Sequence, residues 1–149
     1  MGYDNEGKLT MQRQGKKNQL ICLVDDPWNK AFHGACYHKD LEPFMAMGRK
    51  LKRGGFHTQD IRRLRAEAAE SGTLKMPEKP ANLFVFDVNQ EMVYFHTGEV
   101  QIGRLLAVVH IPYLTGEESG FPTQPVSTGI PGLMDTGTHR AHIVITPSQ

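Results

Sequence analysis

The sequence predicts an α+β domain in which an antiparallel sheet packs on one face against a helical hairpin. Between residues 40 and 72, apolar side chains recur every three or four positions, as on the buried face of an amphipathic helix. On either side of this segment, short runs rich in β-branched and aromatic residues are typical of strands. A chain of 149 residues is long enough to bury one core, so we expect a single domain over 1–149.

The N-terminal segment 1–38 is predicted to be a hairpin followed by a loop. "KLTMQRQ" alternates apolar and polar residues, "GKKN" is a turn sequence, and "QLICLV" is typical of a short buried strand. "DDPWN" then breaks the pattern. We expect the next stretch, "FHGACYHKD", to be an irregular loop that leads into the first helix.

Two helices are predicted between residues 40 and 72. The first begins at the N-cap Asp40, carries Pro43 in its first turn and ends at the glycine pair 54–55. The second begins at Thr58 and ends at Gly72. Their inward faces would carry apolar residues at helical spacing: Phe44, Met47 and Leu51 in the first helix, and Ile61, Leu64 and Ala68 in the second.

The remainder of the chain, 83–149, is predicted to supply the other strands. "LFVFDV", "MVYFHT" and "RLLAVVHIPY" are strand-like, and "AHIVI" closes the chain as a last strand. Residues 115–138 are dense in Gly, Pro, Ser and Thr, which predicts a long irregular loop.

The composition is that of an ordinary soluble globular protein, with 39% hydrophobic and 22% charged residues. A net charge of +1 lacks the bias of a dedicated nucleic-acid binder, so nucleic acid is an unfavoured partner. No apolar run approaches the roughly 20 residues needed to cross a bilayer. The first residues lack the apolar segment of a signal peptide, so we expect an exported form to have lost its leader. The oligomeric state is left open.

The two cysteines, Cys22 and Cys36, have three interpretations. A disulfide would join the second strand to the loop before the first helix. Two free thiols are the second interpretation, and a metal or catalytic site with His33 or His38 is the third. The segment lacks the paired C-x₂-C or H-x₃-H spacing of a closed tetrahedral site, which favours the disulfide.

From about Gly15 onward the chain contains, in order, "QLICLV", "GACY", the helical hairpin, "MPEKPANLFVF" and a strand ending in "IPYLT". This order of segments resembles a family of small, uncharacterised exported bacterial proteins. The resemblance implies the fold and an exported or periplasmic location, and it implies no activity. Without it, the default location would be the cytoplasm.

Histidines near the C-terminal strands suggest a metal site. His110 ends one strand, and His139 and His142 flank the start of the last one, so pairing of these strands would bring imidazoles together. Asp135 could add an oxygen ligand, and the set would suit a divalent transition metal. Positions 139 and 142 would point to opposite faces of a regular strand, so the site would need a bulge or would use one of the two.

A second candidate site lies along the predicted loop. Tyr113 stands at its start, and Phe121 and Met134 are apolar side chains within it. Such side chains can form the lid of a small-molecule pocket over a sheet, or can tuck the loop into the core.

The helical hairpin carries a run of basic residues. This run could present a helix to a nucleic acid, or it could be the solvated outer face of the hairpin, balanced by Glu67 and Glu70. Its members are Arg49, Lys50, Lys52, Arg53, Arg62, Arg63 and Arg65.

The sequence thus predicts a ligand-binding or interaction module that works outside the cytoplasm. The alternative is a small metal-dependent enzyme that uses the histidines of the C-terminal strands.

Overall fold

The computed structural model describes residues 1–4, 6, 8–11, 18–23, 31–94, 96–100, 103–124 and 129–146. The strands within these residues are β1 (Gly2–Tyr3), β2 (Leu9–Thr10), β3 (Leu20–Leu23), β4 (Ala31–His38), β5 (Ala81–Asn89), β6 (Val93–Tyr94), β7 (Glu99–Val100), β8 (Arg104–His110), β9 (Gly132–Met134) and β10 (His142–Ile145). The α-helices are α1 (Glu42–Arg53), α2 (Thr58–Glu70) and the short α3 (Gly116–Ser119). None of the helices in these ranges is long and apolar enough to cross a membrane.

Six strands form one antiparallel sheet in the order β3–β4–β5–β8–β10–β9. β1 pairs with β2, and β6 with β7, as two small ribbons. The helical hairpin of α1 and α2 is inserted between β4 and β5. The predicted fold class, an antiparallel sheet with a helical hairpin, is confirmed.

The two faces of the sheet have different coverings. Successive side chains of a strand point to opposite faces, so Leu83 and Val85 of β5 face the hairpin, while Phe84 faces away. Helix α1 buries Phe44 and Gly48, whereas α2 has no fully buried residue. The hairpin therefore packs closely through α1 and leaves space between α2 and the sheet.

Two clusters of buried residues hold the fold together. One lies where the start of α1 meets the sheet, and comprises Tyr37, Leu41 and Ala81. The other lies on the opposite face near the β9 edge, where residues of the 111–121 connection pack against it; it comprises Leu133, Ala141 and Ile143. Tyr37 pairs with Leu83, while Ile143 pairs with Val109, which pairs with Asn82, so the two clusters lie at the same end of the strands on opposite faces of the sheet.

The prediction that "FHGACYHKD" is an irregular loop is wrong, because this stretch forms most of β4. The strand lies between β3 and β5, and its alternate residues Ala35 and Tyr37 are buried. Histidines and a glycine between the apolar positions hide this two-residue period in the sequence. Cys36 stands directly opposite Cys22 on β3, and the two form a disulfide, as the favoured interpretation predicted.

The described strands of the predicted N-terminal hairpin pair differently from the prediction. Leu9 and Thr10 pair with Gly2 and Tyr3 in β2 and β1, and β3 pairs with β4. Most of the predicted turn, residues 15–17, lies outside the described residues.

The helix starts also differ from the prediction by a residue or more. Asp40 lies in a short 3₁₀ turn before α1, where its backbone N–H donates to the His38 side chain. Thr58 is the first residue of α2, and His57 occupies the N-cap. Both helix ends are as predicted, at Gly54 and just before Gly72.

The long irregular loop predicted over 115–138 is also partly wrong. It contains α3, which begins at a capping box formed by Thr115 and Glu118, and the edge strand β9. Residues 125–128 lie outside the described part.

Candidate functional site

A cleft of about 460 Å³ lies between the helical hairpin and the sheet. Its volume is in the range of small-molecule sites, roughly 300–1,000 Å³. The floor consists of aliphatic side chains from the two central strands. Val85 of β5 stands opposite Leu106 of β8, and Leu83 stands opposite Val108. The two-residue period of both strands therefore places four apolar side chains on the face that the hairpin covers.

The other wall of the cleft comes from the hairpin. Met45 of α1 and Ile61 of α2 contribute apolar surface, and Phe44 closes the end near the histidines. The cleft exists because α2 does not pack closely against the sheet. Its inward residues Ile61 and Leu64 are only partly buried.

Positive charge surrounds this apolar space. None of the described residues that line the cleft is acidic. The cations among them come from both helices and from the turn before β10: Arg49, Lys52, Arg62, Arg65 and Arg140. A cleft of this kind favours an anion as its occupant.

Two of the arginines are held by carboxylates outside the cleft lining. Arg49 Nη2 lies 2.6 Å from Glu42 Oε1, and its Nη1 donates to the Tyr37 hydroxyl at 2.8 Å. Burial and a hydrogen bond to Glu42 raise the pKa of Tyr37, so it remains a phenol. Arg140 Nη2 lies 3.2 Å from Asp135 Oδ2. These two cations are fixed in place and largely compensated.

Arg65 is different, because it forms no ion pair with a carboxylate of the described residues. Its Nη2 donates to the carbonyl of Phe44 at 2.7 Å, and its guanidinium carbon lies 3.9 Å from the centre of the Phe44 ring. Its Nε is buried and has no hydrogen-bond partner in the described structure. Burial, together with the charges of Arg140 and Arg49, lowers the pKa of Arg65 to about 10. Arg65 is therefore a desolvated cation beside other cations.

Because Gly48 has no side chain, the guanidinium of Arg65 can lie against α1 at this residue. A Cβ built on Gly48 would lie 1.7 Å from Arg65 Nη2, so the guanidinium occupies the space where a side chain would be. Gly48 is buried in the middle of α1, where glycine costs about 1 kcal/mol of helix stability relative to alanine. The pairing of a helix-interior glycine with a buried arginine is therefore a specific feature of this hairpin.

The predicted meeting of His110 and His142 is confirmed. The two residues are directly opposite in β8 and β10, and their rings stack with centroids 5.2 Å apart. Burial, followed by the nearby His142 and Arg140, lowers the pKa of His110 to about 4, so it is neutral at pH 7. His142 Nδ1 lies 2.6 Å from the carbonyl oxygen of Arg140, to which it donates.

The other predicted metal ligands do not complete a site with these two histidines. His139 lies in the turn before β10 and packs against Phe44, with ring centroids 6.3 Å apart. Asp135 Oδ2 is 3.8 Å from His142 Nδ1, and its carboxylate pairs with Arg140. Across the described ranges, no three His, Cys, Asp or Glu residues are grouped so that they could hold a metal ion. The metal site stays a prediction from the sequence.

The three predicted ligand-binding residues are in separate places. Phe121 packs against the buried cluster at the β9 edge. Of the two alternatives for the loop side chains, this is packing into the core. Tyr113 is 52% exposed and lines a second, smaller hollow beside Asp135 and His139. Met134 is partly exposed on β9. The lining of the main cleft, as far as the structure describes it, contains none of the three.

The basic run of the hairpin divides between two faces. Arg49, Lys52, Arg62 and Arg65 line the cleft, whereas Arg63 is exposed and pairs with Asp60 and Glu67 of its own helix. The solvated-face interpretation therefore describes only part of the run. The helical spacing of the sequence indicates which of these positions face the sheet. Arg65 follows Ile61 by four residues, and Gly48 follows Phe44 by four, so both fall on inward faces.

Comparisons of the chain with protein-family models, with curated proteins and with solved structures gave no match. The resemblance to exported bacterial proteins therefore stays a prediction. The function is accordingly inferred from the geometry of the cleft.

Proposed function

We propose that this protein is a non-catalytic binding module for a small anionic molecule, which it holds in the cleft between the helical hairpin and the sheet. The observation that carries the proposal is the uncompensated charge of Arg65. This residue is a partly buried cation without a described carboxylate partner, and it lies in a cleft whose described lining contains five cations and no acid.

An anion beside Arg65 would compensate a charge that no described carboxylate pairs. A desolvated charge is costly unless it is paired and hydrogen-bonded, and two further cations raise that cost here. A carboxylate or phosphate oxygen would supply the missing countercharge and accept hydrogen bonds from the guanidinium. The free energy gained when this charge is paired would therefore contribute to ligand binding.

The other cations have supporting roles. Arg49 and Arg140 are oriented by Glu42 and Asp135, so little side-chain entropy would be lost when they approach a ligand. Lys52 and Arg62 are exposed at the mouth of the cleft, where they would attract an anion from solution.

We also propose that the protein works in an oxidising compartment outside the cytoplasm. The Cys22–Cys36 disulfide supports this proposal, because structural disulfides persist in such compartments and are rare in a reducing cytosol. Trapping of free thiols during lysis of the native cells, followed by mass spectrometry, tests it. We expect both cysteines to be protected, and alkylation of both would overturn the proposed location.

The binding proposal is tested by titrating acetate and inorganic phosphate into the protein at constant ionic strength, with chemical shifts of the backbone amides as the readout. We expect shifts confined to residues that line the cleft, and their loss in Arg65→Met. Lys50→Gln is the matched control, because it removes an exposed charge from α1 that does not line the cleft. Equal responses of the wild type and Arg65→Met to both anions would overturn the proposal.

A further inference from the structure

We propose that the ligand is an amphipathic carboxylic acid, whose hydrocarbon chain lies on the aliphatic floor of the cleft and whose carboxylate lies against Arg65. This inference rests on the proposed anion-binding function and names the class of anion.

The floor of the cleft is suited to a hydrocarbon chain. It presents Leu83, Val85 and Leu106, which are only partly buried although they lie on the covered face of the central strands. Met45 and Ile61 extend the same apolar surface onto the hairpin. Water in contact with these side chains would be displaced by a chain, at a gain of about 25 cal/mol per Å² of apolar surface removed from water.

The lining is poorly suited to a sugar, a nucleoside or another polyol. Such ligands need several neutral hydrogen-bonding groups at fixed positions, because an unpaired hydroxyl is costly to bury. Apart from the two histidines, the neutral polar side chain among the described lining residues is that of Thr58. The remaining lining is either aliphatic, aromatic or cationic, which matches an apolar body with an anionic head.

The head group is assigned from the charges around Arg65. Since Arg49 and Arg140 already have carboxylate partners, Arg65 is the cation at the inner end that lacks one among the described residues. A head with a single negative charge compensates it, and the planar guanidinium matches the two oxygens of a carboxylate. His110 is neutral at pH 7 and does not add a second positive charge.

Isothermal titration calorimetry with a chain-length series of carboxylates tests the proposal. Acetate, hexanoate and decanoate are compared below their micelle concentrations, at one ionic strength, with decan-1-ol and decyl phosphate as head-group controls. Each fully buried methylene group is worth up to about fourfold in affinity. We therefore expect hexanoate to bind at least about tenfold more tightly than acetate, and decanoate more tightly than decanol.

Two matched substitutions separate the floor from the rest of the sheet. Leu106→Thr places a hydroxyl on the floor, whereas Leu105→Thr makes the same change at the neighbouring residue, which is 47% exposed on the opposite face. We expect Leu106→Thr to weaken decanoate binding several-fold and to leave acetate binding unchanged. Leu105→Thr should change neither, and circular dichroism confirms that both variants are folded.

The outcomes distinguish this inference from the function on which it rests. If acetate and phosphate bind in an Arg65-dependent manner but affinity does not rise with chain length, the ligand class is wrong and the anion-binding function stands. Decanol binding as tightly as decanoate, or decyl phosphate binding more than tenfold tighter, would also overturn the carboxylate assignment. If no anion binds in an Arg65-dependent manner, both proposals fail.

Discussion

Gly48 and Arg65 are complementary residues on the two helices of the hairpin. The guanidinium of Arg65 lies where a side chain at residue 48 would be, with Nη2 only 1.7 Å from an ideal Cβ position. This relationship turns the cationic group toward the carbonyl of Phe44 and the cleft, away from the solvated face that its neighbour Arg63 occupies. A glycine in one helix thereby determines the charge at the inner end of the site.

Gly48→Ala is expected to disrupt the site without disrupting the fold. The new methyl group must displace the end of a flexible side chain, while alanine favours the helix by about 1 kcal/mol over glycine. This gain offsets part of the loss of the Arg65–Phe44 hydrogen bond, which is worth about 1.5–3 kcal/mol because its donor is charged. We expect the free energy of unfolding to fall by no more than about 2 kcal/mol and carboxylate affinity to fall at least about tenfold. Unchanged affinity in this variant would refute the role of Arg65.

Arg65→Met is expected to leave the ligand-free protein at least as stable as the wild type. The substitution removes a desolvated cation and an unsatisfied Nε, and keeps an apolar stem against Phe44. Urea denaturation without added ligand measures the effect. A loss of more than about 2 kcal/mol would mean that the contacts of Arg65 with Phe44 outweigh its desolvation.

The stability of the protein is expected to fall as the pH is lowered from about 6.5 to about 4. The pKa of His110 is about 4 in the folded protein and 6.5 in the unfolded chain, so between these values the unfolded chain binds the proton more readily. A depressed histidine pKa therefore costs stability on acidification, up to roughly 3 kcal/mol for the full shift. His139, whose pKa burial also lowers, contributes in the same direction.

Substitution of His110 isolates its share of this pH dependence. His110 is 6% exposed and its buried Nδ1 has no hydrogen-bond partner among the described residues, so His110→Leu removes the titration without removing a hydrogen bond of that atom. Urea denaturation of this variant at pH 7 and at pH 4.5 should show a smaller difference than the wild type. The same substitution at the exposed His57 is the control. A pH dependence equal to that of the wild type would contradict the buried, neutral state of His110.

Reduction of the disulfide is expected to lower stability and to leave the cleft intact. Cys22 and Cys36 are 14 residues apart, and a loop of this length contributes on the order of 3 kcal/mol in the chain-entropy model. Cys36 is adjacent to Tyr37, which faces the hairpin, so the disulfide lies on the opposite face from the cleft. Denaturation with and without reductant measures the first effect, and carboxylate titration of the reduced protein measures the second. A large loss of binding without unfolding would show that the disulfide shapes the cleft.

Elements with strong apolar periodicity can be predicted from the sequence. The helical hairpin, β5, β8 and β10 have clear patterns, and the conditional prediction that His110 meets His142 follows from the pairing of the last two. β4 could not be predicted because His33 and Gly34 interrupt its apolar pattern. The segment forms a strand because it pairs with β3 on one side and β5 on the other. Tertiary pairing, which local sequence does not encode, decides such a segment.

The cleft itself escapes prediction from the sequence for a different reason. Histidines and loop aromatics attract attention because of their chemistry, whereas Arg65 appears as one of several charges in a basic run. Its inward position can be inferred from the spacing to Ile61. Its proximity to Gly48 depends on how α1 and α2 cross, and the sequence alone does not fix that geometry.

The central claim is that Arg65 holds the anionic head of a ligand whose chain lies on the aliphatic floor. The most direct measurement is nuclear magnetic resonance of the protein with decanoate, with the Arg65 guanidinium resonance assigned by its disappearance in Arg65→Lys. The claim predicts that this resonance shifts on saturation, and that nuclear Overhauser effects connect the chain to the methyl groups of Leu106 and Val85. An unshifted Arg65 resonance, or contacts of the chain with Leu105 and Phe84 on the opposite face, would contradict it.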